Sequence, residues 1–258
     1  MDFSIKDFDL SLKSIKIWEL VIGIVISFVL GLFFSDLFGI LKINIKPELL
    51  AQFFIIIFFV FALRKTDNFK SNLTSAGEHW KEILYLLIIN FFFAFFVLSL
   101  FTFFVPDLAN EFVGSASNQL DLMYIVIYTV ILVPIAEELT FRGVILNRLN
   151  NKVNFIYAII ISSLLFSLVH GFGRLTPTFF FGLCMCVIYL KTNNIIIPII
   201  IHVLNNATAT VFSDLYHVEV ILLSNPLNSI TFIVSVISGI LIIVYLYKNI
   251  KVLRSRVD

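Results

Sequence analysis

The sequence predicts an all-α, polytopic membrane protein. Of the 258 residues, 60% are hydrophobic and only 14% are charged, and the mean hydropathy is +1.02. Soluble domains average about 25% charged residues. Uncharged apolar stretches recur along the whole chain, and they are continuous rather than alternating, which favours membrane-spanning helices over a β-barrel. The net charge of +1 implies neither nucleic acid nor an acidic partner.

The apolar stretches predict about eight transmembrane helices in one domain that covers residues 1–258. The first stretch is expected to remain as an anchor, because acids and lysines alternate before it and no small-residue cleavage site follows a short apolar core. Several charge-free cores have only about 15–17 residues, which is short for a bilayer of about 30 Å. The predicted helices cover residues 18–38, 47–63, 83–105, 119–148, 153–170, 175–190, 194–212 and 227–247.

The loop charges predict the orientation in the cell membrane. With a cytoplasmic N-terminus, 15 of the 18 lysines and arginines fall on the inside. The other three are Lys42, Lys46 and Arg174. This bias favours eight spans with both termini in the cytoplasm. Residues 64–81 are expected to form a basic cytoplasmic loop.

Polar and ionisable residues inside three predicted spans mark a candidate site. Such residues cost several kcal/mol in a bilayer and usually face a protein interior or a wet cavity. They fall on the fourth, fifth and seventh helices, so helices four to seven are expected to enclose a polar cavity. These residues are Glu137, Glu138, Arg142, His170, His202, Asn205 and Asn206.

The first cluster separates a paired glutamate from a free one. Glu138 and Arg142 are four residues apart and share a helical face, so they are expected to pair. Glu137 is rotated from them by about 100° and is available as a general base. The alternative is that all three residues only cap the helix near the cytoplasm.

The two histidine clusters supply candidate partners for Glu137. Phe166 lies one turn before His170 and is expected to hold its ring by packing. His202 and Asn206 share a face, and two donors on one face suit a developing oxyanion. They equally suit a hydrogen-bonded pair between membrane helices.

Two prolines and the depth of the residues bear on this site. Pro134 and Pro198 are expected to kink their helices just before the polar clusters.

Counting about 1.5 Å per residue places His202 roughly 12 Å, Glu137 roughly 16 Å and His170 roughly 26 Å along their helices from the cytoplasmic end. Residues that share one water should not differ so much in depth, unless the helices tilt strongly or the fifth begins below the membrane surface.

In this order, the motifs resemble those of the CAAX-protease and bacteriocin-processing (ABI) family of intramembrane proteases. The family pattern is EExxxR, FxxxH, then HxxxN or HxxxD. The resemblance runs from Pro134 to Asn206, 73 of the 258 residues, within an expected core of about 119–212. The matching residues are Glu137, Glu138 and Arg142, then Phe166 and His170, then His202 and Asn206.

The resemblance implies a glutamate-dependent peptidase that needs no cofactor. Glu137 would activate a water and His170 would assist. His202 and Asn206 would stabilise the oxyanion, and other motif residues, with Phe166, would support the site. The substrate would be a peptide or protein within or at the lipid bilayer, and the biological role bacteriocin self-immunity or peptide maturation.

Three alternatives stay open. A zinc protease would use Glu137, His170 and His202 as ligands, although the chain lacks an HExxH pair. A non-catalytic immunity or scaffold protein would bind a peptide or a membrane partner and keep the motifs as a structural core. A transporter fits the buried charges but lacks matching broken segments in two halves.

Overall fold

The computed structural model describes residues 8–63, 69–104, 122–171, 174–215, 221–224 and 227–256. Every regular element in these ranges is helical. We number ten helices along the chain. They are α1 (Phe8–Ser14), α2 (Ile17–Ile40), α3 (Pro47–Leu63), α4 (Phe69–Glu78), α5 (Trp80–Phe104), α6 (122–150), α7 (Phe155–Leu168), α8 (Leu175–Thr192), α9 (Ile196–Ala209, extended by a π-helical turn Thr210–Leu215) and α10 (Leu227–Arg254).

The helical bundle confirms the predicted all-α polytopic membrane protein. A helix lies at each of the eight predicted positions; residues 105 and 119–121 of the prediction lie outside the described ranges. Among the described helices, four are long and apolar enough to cross a membrane: α2, α5, α8 and α10. Helices α3, α7 and α9 are apolar but shorter, as the short charge-free cores predict.

Two short helices were not expected from hydropathy. Helix α1 precedes the first long helix, and α4 lies in residues 64–81, where a loop was expected. The loop prediction was therefore wrong for Phe69–Glu78. Three of the charges assigned to the inside, Lys6, Arg64 and Lys65, lie outside the described residues.

The long helices pack in pairs around the polar segment. Helix α2 packs along α3, α5 along α10, and α7 along α8. At the first of these contacts a Cβ on Gly31 would lie 2.7 Å from the Pro47 carbonyl oxygen, so only glycine permits this close approach. Helix α9 contacts both α5 and α6, which places the helices that carry the motifs side by side.

Helix α6 alternates between α-helical and π-helical backbone. Two π-helical stretches, Ile125–Leu132 and Leu139–Leu146, flank the α-helical segment Val133–Glu138 that carries both glutamates. In the first stretch the Val133 N–H donates to the carbonyl five residues earlier, at Tyr128. π-helical turns inside α-helices are frequent at functional sites.

Candidate active site

The middle of α6 holds a fully buried ion pair. Nη1 of Arg142 donates to Oε1 of Glu138 at 2.8 Å, as their spacing predicts, and neither side chain is exposed. Nη2 of Arg142 also donates to the Gly182 carbonyl of α8 at 3.4 Å. Removal of either charge would leave the other unpaired in a low dielectric, which is strongly destabilising.

The same carboxylate holds His202. Nδ1 of His202 lies 2.8 Å from Oε1 of Glu138. The ring of Phe166 packs against the Arg142 guanidinium at 4.3 Å and meets the His202 ring edge-on at 5.8 Å. These contacts join α6, α7 and α9. Sequence spacing does not reveal the link between His202 and Glu138, because 64 residues separate them.

His170 lies just beyond the end of α7 and turns back toward α6. Its Nδ1 lies 2.8 Å from the Phe166 carbonyl oxygen, and the two rings are 4.5 Å apart. Gly171 follows with φ +79°, a backbone conformation that favours glycine. This turn brings the imidazole to the depth of Glu137, which removes the difference in depth expected from straight helices.

Glu137 lies between the two imidazoles. Its Oε2 is 3.7 Å from Nε2 of His170 and 3.8 Å from Nε2 of His202, beyond hydrogen-bond distance. This oxygen is buried and, within the described part of the chain, has no hydrogen-bond partner. The side chains of Glu137 and His170 remain 18% and 21% exposed, whereas His202 is 5% exposed.

The partners of the imidazoles assign their protons. Nδ1 faces a carbonyl in His170 and a carboxylate in His202, and both groups only accept hydrogen bonds. A neutral imidazole has one N–H, so each ring carries it on Nδ1 and turns an Nε2 lone pair toward Glu137. Three acceptors therefore converge on one point. That point suits a donor, either a water molecule or an additional proton.

Asn206 is held by a gap in the backbone of α6. Its Nδ2 donates to the Thr129 carbonyl at 2.9 Å. In the π-helical register, that carbonyl would accept from the N–H of residue 134, five positions later, but Pro134 has none. The Asn206 amide thus replaces the missing backbone donor and still has a second N–H. Asn205 is half-buried beside it.

A buried asparagine supports the second π-helical stretch. Nδ2 of Asn147 lies within hydrogen-bond distance of the Gly143 carbonyl (2.8 Å), the Arg142 carbonyl (3.2 Å) and the Tyr189 hydroxyl of α8 (2.8 Å). This residue fixes the turn that presents Arg142. Sequence reasoning missed Asn147, although a lone amide close to the EExxxR motif was an available signal.

The charged groups also bear on metal binding. Among the residues that the structure describes, no group of three or more His, Cys, Asp or Glu is arranged to hold a metal ion. The convergence of one carboxylate oxygen and two imidazole nitrogens nevertheless matches the donor types that Zn²⁺ prefers. Each imidazole also donates its other N–H to an acceptor, as zinc-bound histidines usually do.

Comparison with known proteins concerns the same part of the chain. Residues 119–208 match the family model of type II CAAX prenyl endopeptidase Rce1-like proteins. The membrane-embedded CAAX protease MroQ of Staphylococcus aureus (strain USA300) is 34% identical over 94 residues, which are 34% of this chain and 38% of that protein. UPF0177 protein YxdF of Lactococcus lactis subsp. lactis is 42% identical over 74 residues, 28% of this chain and 40% of that protein.

The aligned segments thus span about two fifths of the length of these relatives. No solved structure matches the chain. All seven motif residues of the site lie inside the matched segment. Residues 119–208 are therefore similar to the CAAX-protease and bacteriocin-processing family, and in particular to its Rce1-like CAAX prenyl endopeptidases.

Proposed function

We propose that the protein is an intramembrane endopeptidase in which Glu137 is the general base. One observation carries the proposal. The buried Oε2 of Glu137 has no hydrogen-bond partner within the described residues and faces two imidazole nitrogens at 3.7 and 3.8 Å. A water at this point would donate its two protons to two of these three acceptors, Glu137 and His170, and keep a lone pair free for attack.

These positions support a hydrolysis in two steps. Glu137 takes a proton from the water as the water oxygen bonds to the scissile carbonyl carbon, and the carbonyl π electrons move to its oxygen. The resulting tetrahedral oxyanion then collapses. The C–N bond breaks as Glu137 returns its proton to the leaving nitrogen, which releases an amine and a carboxylic acid.

The neighbouring residues have separate tasks in this scheme. His170 accepts from the water through Nε2 and orients it. His202 and Asn206 face the oxyanion. Asn206 donates through its second N–H in any state, whereas His202 donates from Nε2 only when both ring nitrogens carry protons. Glu138 and Arg142 keep the His202 ring in place.

A zinc-dependent form of the same hydrolysis is the second candidate. It is favoured by the three converging acceptors and by the acceptor on each Nδ1. Glu137, His170 and His202 would hold the ion, which would polarise the carbonyl as a Lewis acid. Loss of activity on chelation and its return with Zn²⁺ would favour this candidate, whereas full activity in a chelator would favour a metal-free site.

Cells that carry the wild-type protein or Glu137→Gln test the proposal. Each cleavage creates a new peptide N-terminus. We expect the N-termini that appear only with the wild-type protein to be missing from cells with Glu137→Gln, since loss of a general base lowers rates by about 10²–10⁴-fold. The matched control is Glu78→Gln, the same change at an exposed position of α4. It should keep all the products.

Persistence of the products in a stably folded Glu137→Gln variant would contradict the proposal. A cellular effect that survives in that variant without any dependent N-terminus would instead favour a non-catalytic immunity or scaffold protein. With activity established, the substrates themselves would decide between bacteriocin self-immunity and peptide maturation.

A further inference from the structure

The two ends of the catalytic core differ in how closely they are covered. From Glu138 to Asn147, α6 is buried at every residue except Ile145, which is half-buried. Toward the start of the same helix, Tyr128 and Thr129 are half-buried. The exposed surface of the site therefore lies toward the beginning of α6.

The short helix α1 closes the buried end. Leu12 is fully buried, and a Cβ on Gly143 would come within 3.2 Å of its side chain. Arg148 donates from Nε to the Ile15 carbonyl at 2.7 Å and from Nη2 to the Ser14 carbonyl. The N-terminal segment is thus fixed over the end of α6 by apolar packing and by charged hydrogen bonds.

A second network closes the same end beside α8. Lys191 donates to Oε1 of Glu82 at 2.7 Å, and the Tyr245 hydroxyl donates to the same oxygen at 2.9 Å. Arg256 donates to the Lys191 carbonyl at 2.9 Å. These bonds join α5, α8 and α10, so this end of the bundle has little room for a polypeptide.

The opposite end offers polar, partly exposed groups. Asn205, Asn206 and Thr208 are half-buried along the last turns of α9, and Gly171 after α7 is exposed. Gly171 directly follows His170, whose side chain is 21% exposed. Within the part of the chain that the structure describes, the open end is formed by the start of α6, the end of α7 and the end of α9.

A line of polar side chains also runs from the open end toward the base. The Tyr124 hydroxyl donates to Glu48 at 2.9 Å, and its ring stacks on that of Tyr128 at 5.2 Å. Tyr128 is half-buried on α6, nine residues before Glu137. Such a line can guide water and a peptide backbone, whereas lipid would not favour it.

The charges identify the open end as extracytoplasmic. Among the lysines and arginines that the structure describes, Lys42, Lys46 and Arg174 lie at the open end, and the rest lie within or at the closed end. Positively charged residues concentrate on the cytoplasmic side of short loops. We propose that the catalytic site is reached from the extracytoplasmic side, and that its substrate is a polypeptide segment at the outer face of the membrane. The substrate part of this proposal rests on the proposed peptidase function.

Cysteine labelling in intact cells tests the access route without any need for activity. Cys184 and Cys186 are fully buried, so the wild-type protein should be unreactive. Ile43→Cys in the loop after α2 reports on the open end, and Lys152→Cys in the exposed turn after α6 reports on the closed end. Glu137→Cys reports on the site itself. The probe is a charged, membrane-impermeant methanethiosulfonate.

We expect Ile43→Cys and Glu137→Cys to react in intact cells about tenfold faster or more than Lys152→Cys, which should react only after permeabilisation. Should Glu137→Cys fail to accumulate, Thr208→Cys on α9 is the second probe of the opening. The proposal is overturned if the site cysteine reacts only after permeabilisation, together with Lys152→Cys, or never reacts. Labelling does not require catalysis. The labelling result therefore tests the access route even if the protein proves not to be a peptidase.

Discussion

Two glutamates inside this membrane bundle have opposite surroundings. Oε1 of Glu82 accepts hydrogen bonds from Lys191 and Tyr245, and its Oε2 lies 3.6 Å from His79. Glu137 faces two imidazoles at longer distances, and its buried Oε2 has no hydrogen-bond partner within the described residues. Both oxygens of Glu82 face polar or charged neighbours, whereas Oε2 of Glu137 remains a free acceptor within the described residues.

This difference indicates that the Glu82 carboxylate stabilises the fold, whereas the Glu137 carboxylate remains available for chemistry. Buried polar groups in folded proteins are almost always hydrogen-bonded, so an exception needs a reason. At Glu82 the bonds join three helices at one end of the bundle. At Glu137 the missing bond leaves room for a water and its proton. Sites that break a local rule of stability are where function is expected.

The largest effect on stability should come from breaking the buried pair behind the site. Arg142→Met removes the positive charge beside the fully buried Glu138 and leaves it only the hydrogen bond from His202, which should lower the free energy of unfolding by about 3–5 kcal/mol. The matched change, Lys191→Met, removes a cation whose side chain is 26% exposed. It should cost about 1 kcal/mol or less, because partly solvated ion pairs contribute little. Thermal unfolding of the purified variants in detergent measures both.

Similar losses in the two variants would show that the Glu138 and Glu82 pairs are equally important for stability. They would also undermine the view that the Arg142 side chain is the central support of the site. Arg142→Lys gives a further control, since it keeps the charge but loses the planar, forked donors. The free energy of unfolding of Arg142→Lys should lie between those of the wild-type protein and Arg142→Met.

The isosteric change of each glutamate to glutamine should have opposite consequences. Glu82→Gln weakens charged hydrogen bonds to Lys191 and Tyr245 but keeps an acceptor oxygen, and it should cost about 1–1.5 kcal/mol of stability. Glu137→Gln removes a carboxylate that faces two nitrogen lone pairs, and its amide can donate to one of them. It should unfold at the same or a higher temperature, as expected where activity requires a destabilised site. A large loss of stability in Glu137→Gln would make this glutamate structural.

Hydropathy and motif spacing predicted much of this molecule. Long apolar runs predict helices because backbone groups in a bilayer must bond within their own segment. Pairing of Glu138 with Arg142 follows from a spacing of one helical turn. The polar cavity between helices four and seven follows from the ionisable residues inside these spans. The contact between His202 and Glu138 was not predicted, since residues 64 positions apart leave no local signal.

What the sequence did not predict has identifiable physical causes. Helices α1 and α4 are short, so neither gives a membrane-length apolar signal, and tertiary contacts such as those of Leu12 stabilise them. The depth of His170 was misjudged because a straight helix was assumed. In the structure α7 ends at Leu168, and the ring turns back onto the Phe166 carbonyl.

The smallest expected effect on stability separates the two roles of Asn206. Asn206→Leu leaves the Thr129 carbonyl without its donor and should cost about 1 kcal/mol. Adding Pro134→Ala supplies a backbone N–H five residues after Thr129, so the double variant should regain most of that stability. Activity should stay about 10²–10³-fold low in both variants, because the proposed oxyanion donor is still missing. Recovery of activity along with stability in the double variant would mean that Asn206 only positions α9 against α6.

Unchanged stability in Asn206→Leu would instead show that the Thr129 carbonyl, which has no backbone donor because of Pro134, does not need a hydrogen bond. Pro134→Ala alone is the control for straightening of α6, and it should keep the Asn206 side chain as a competing donor to the same carbonyl.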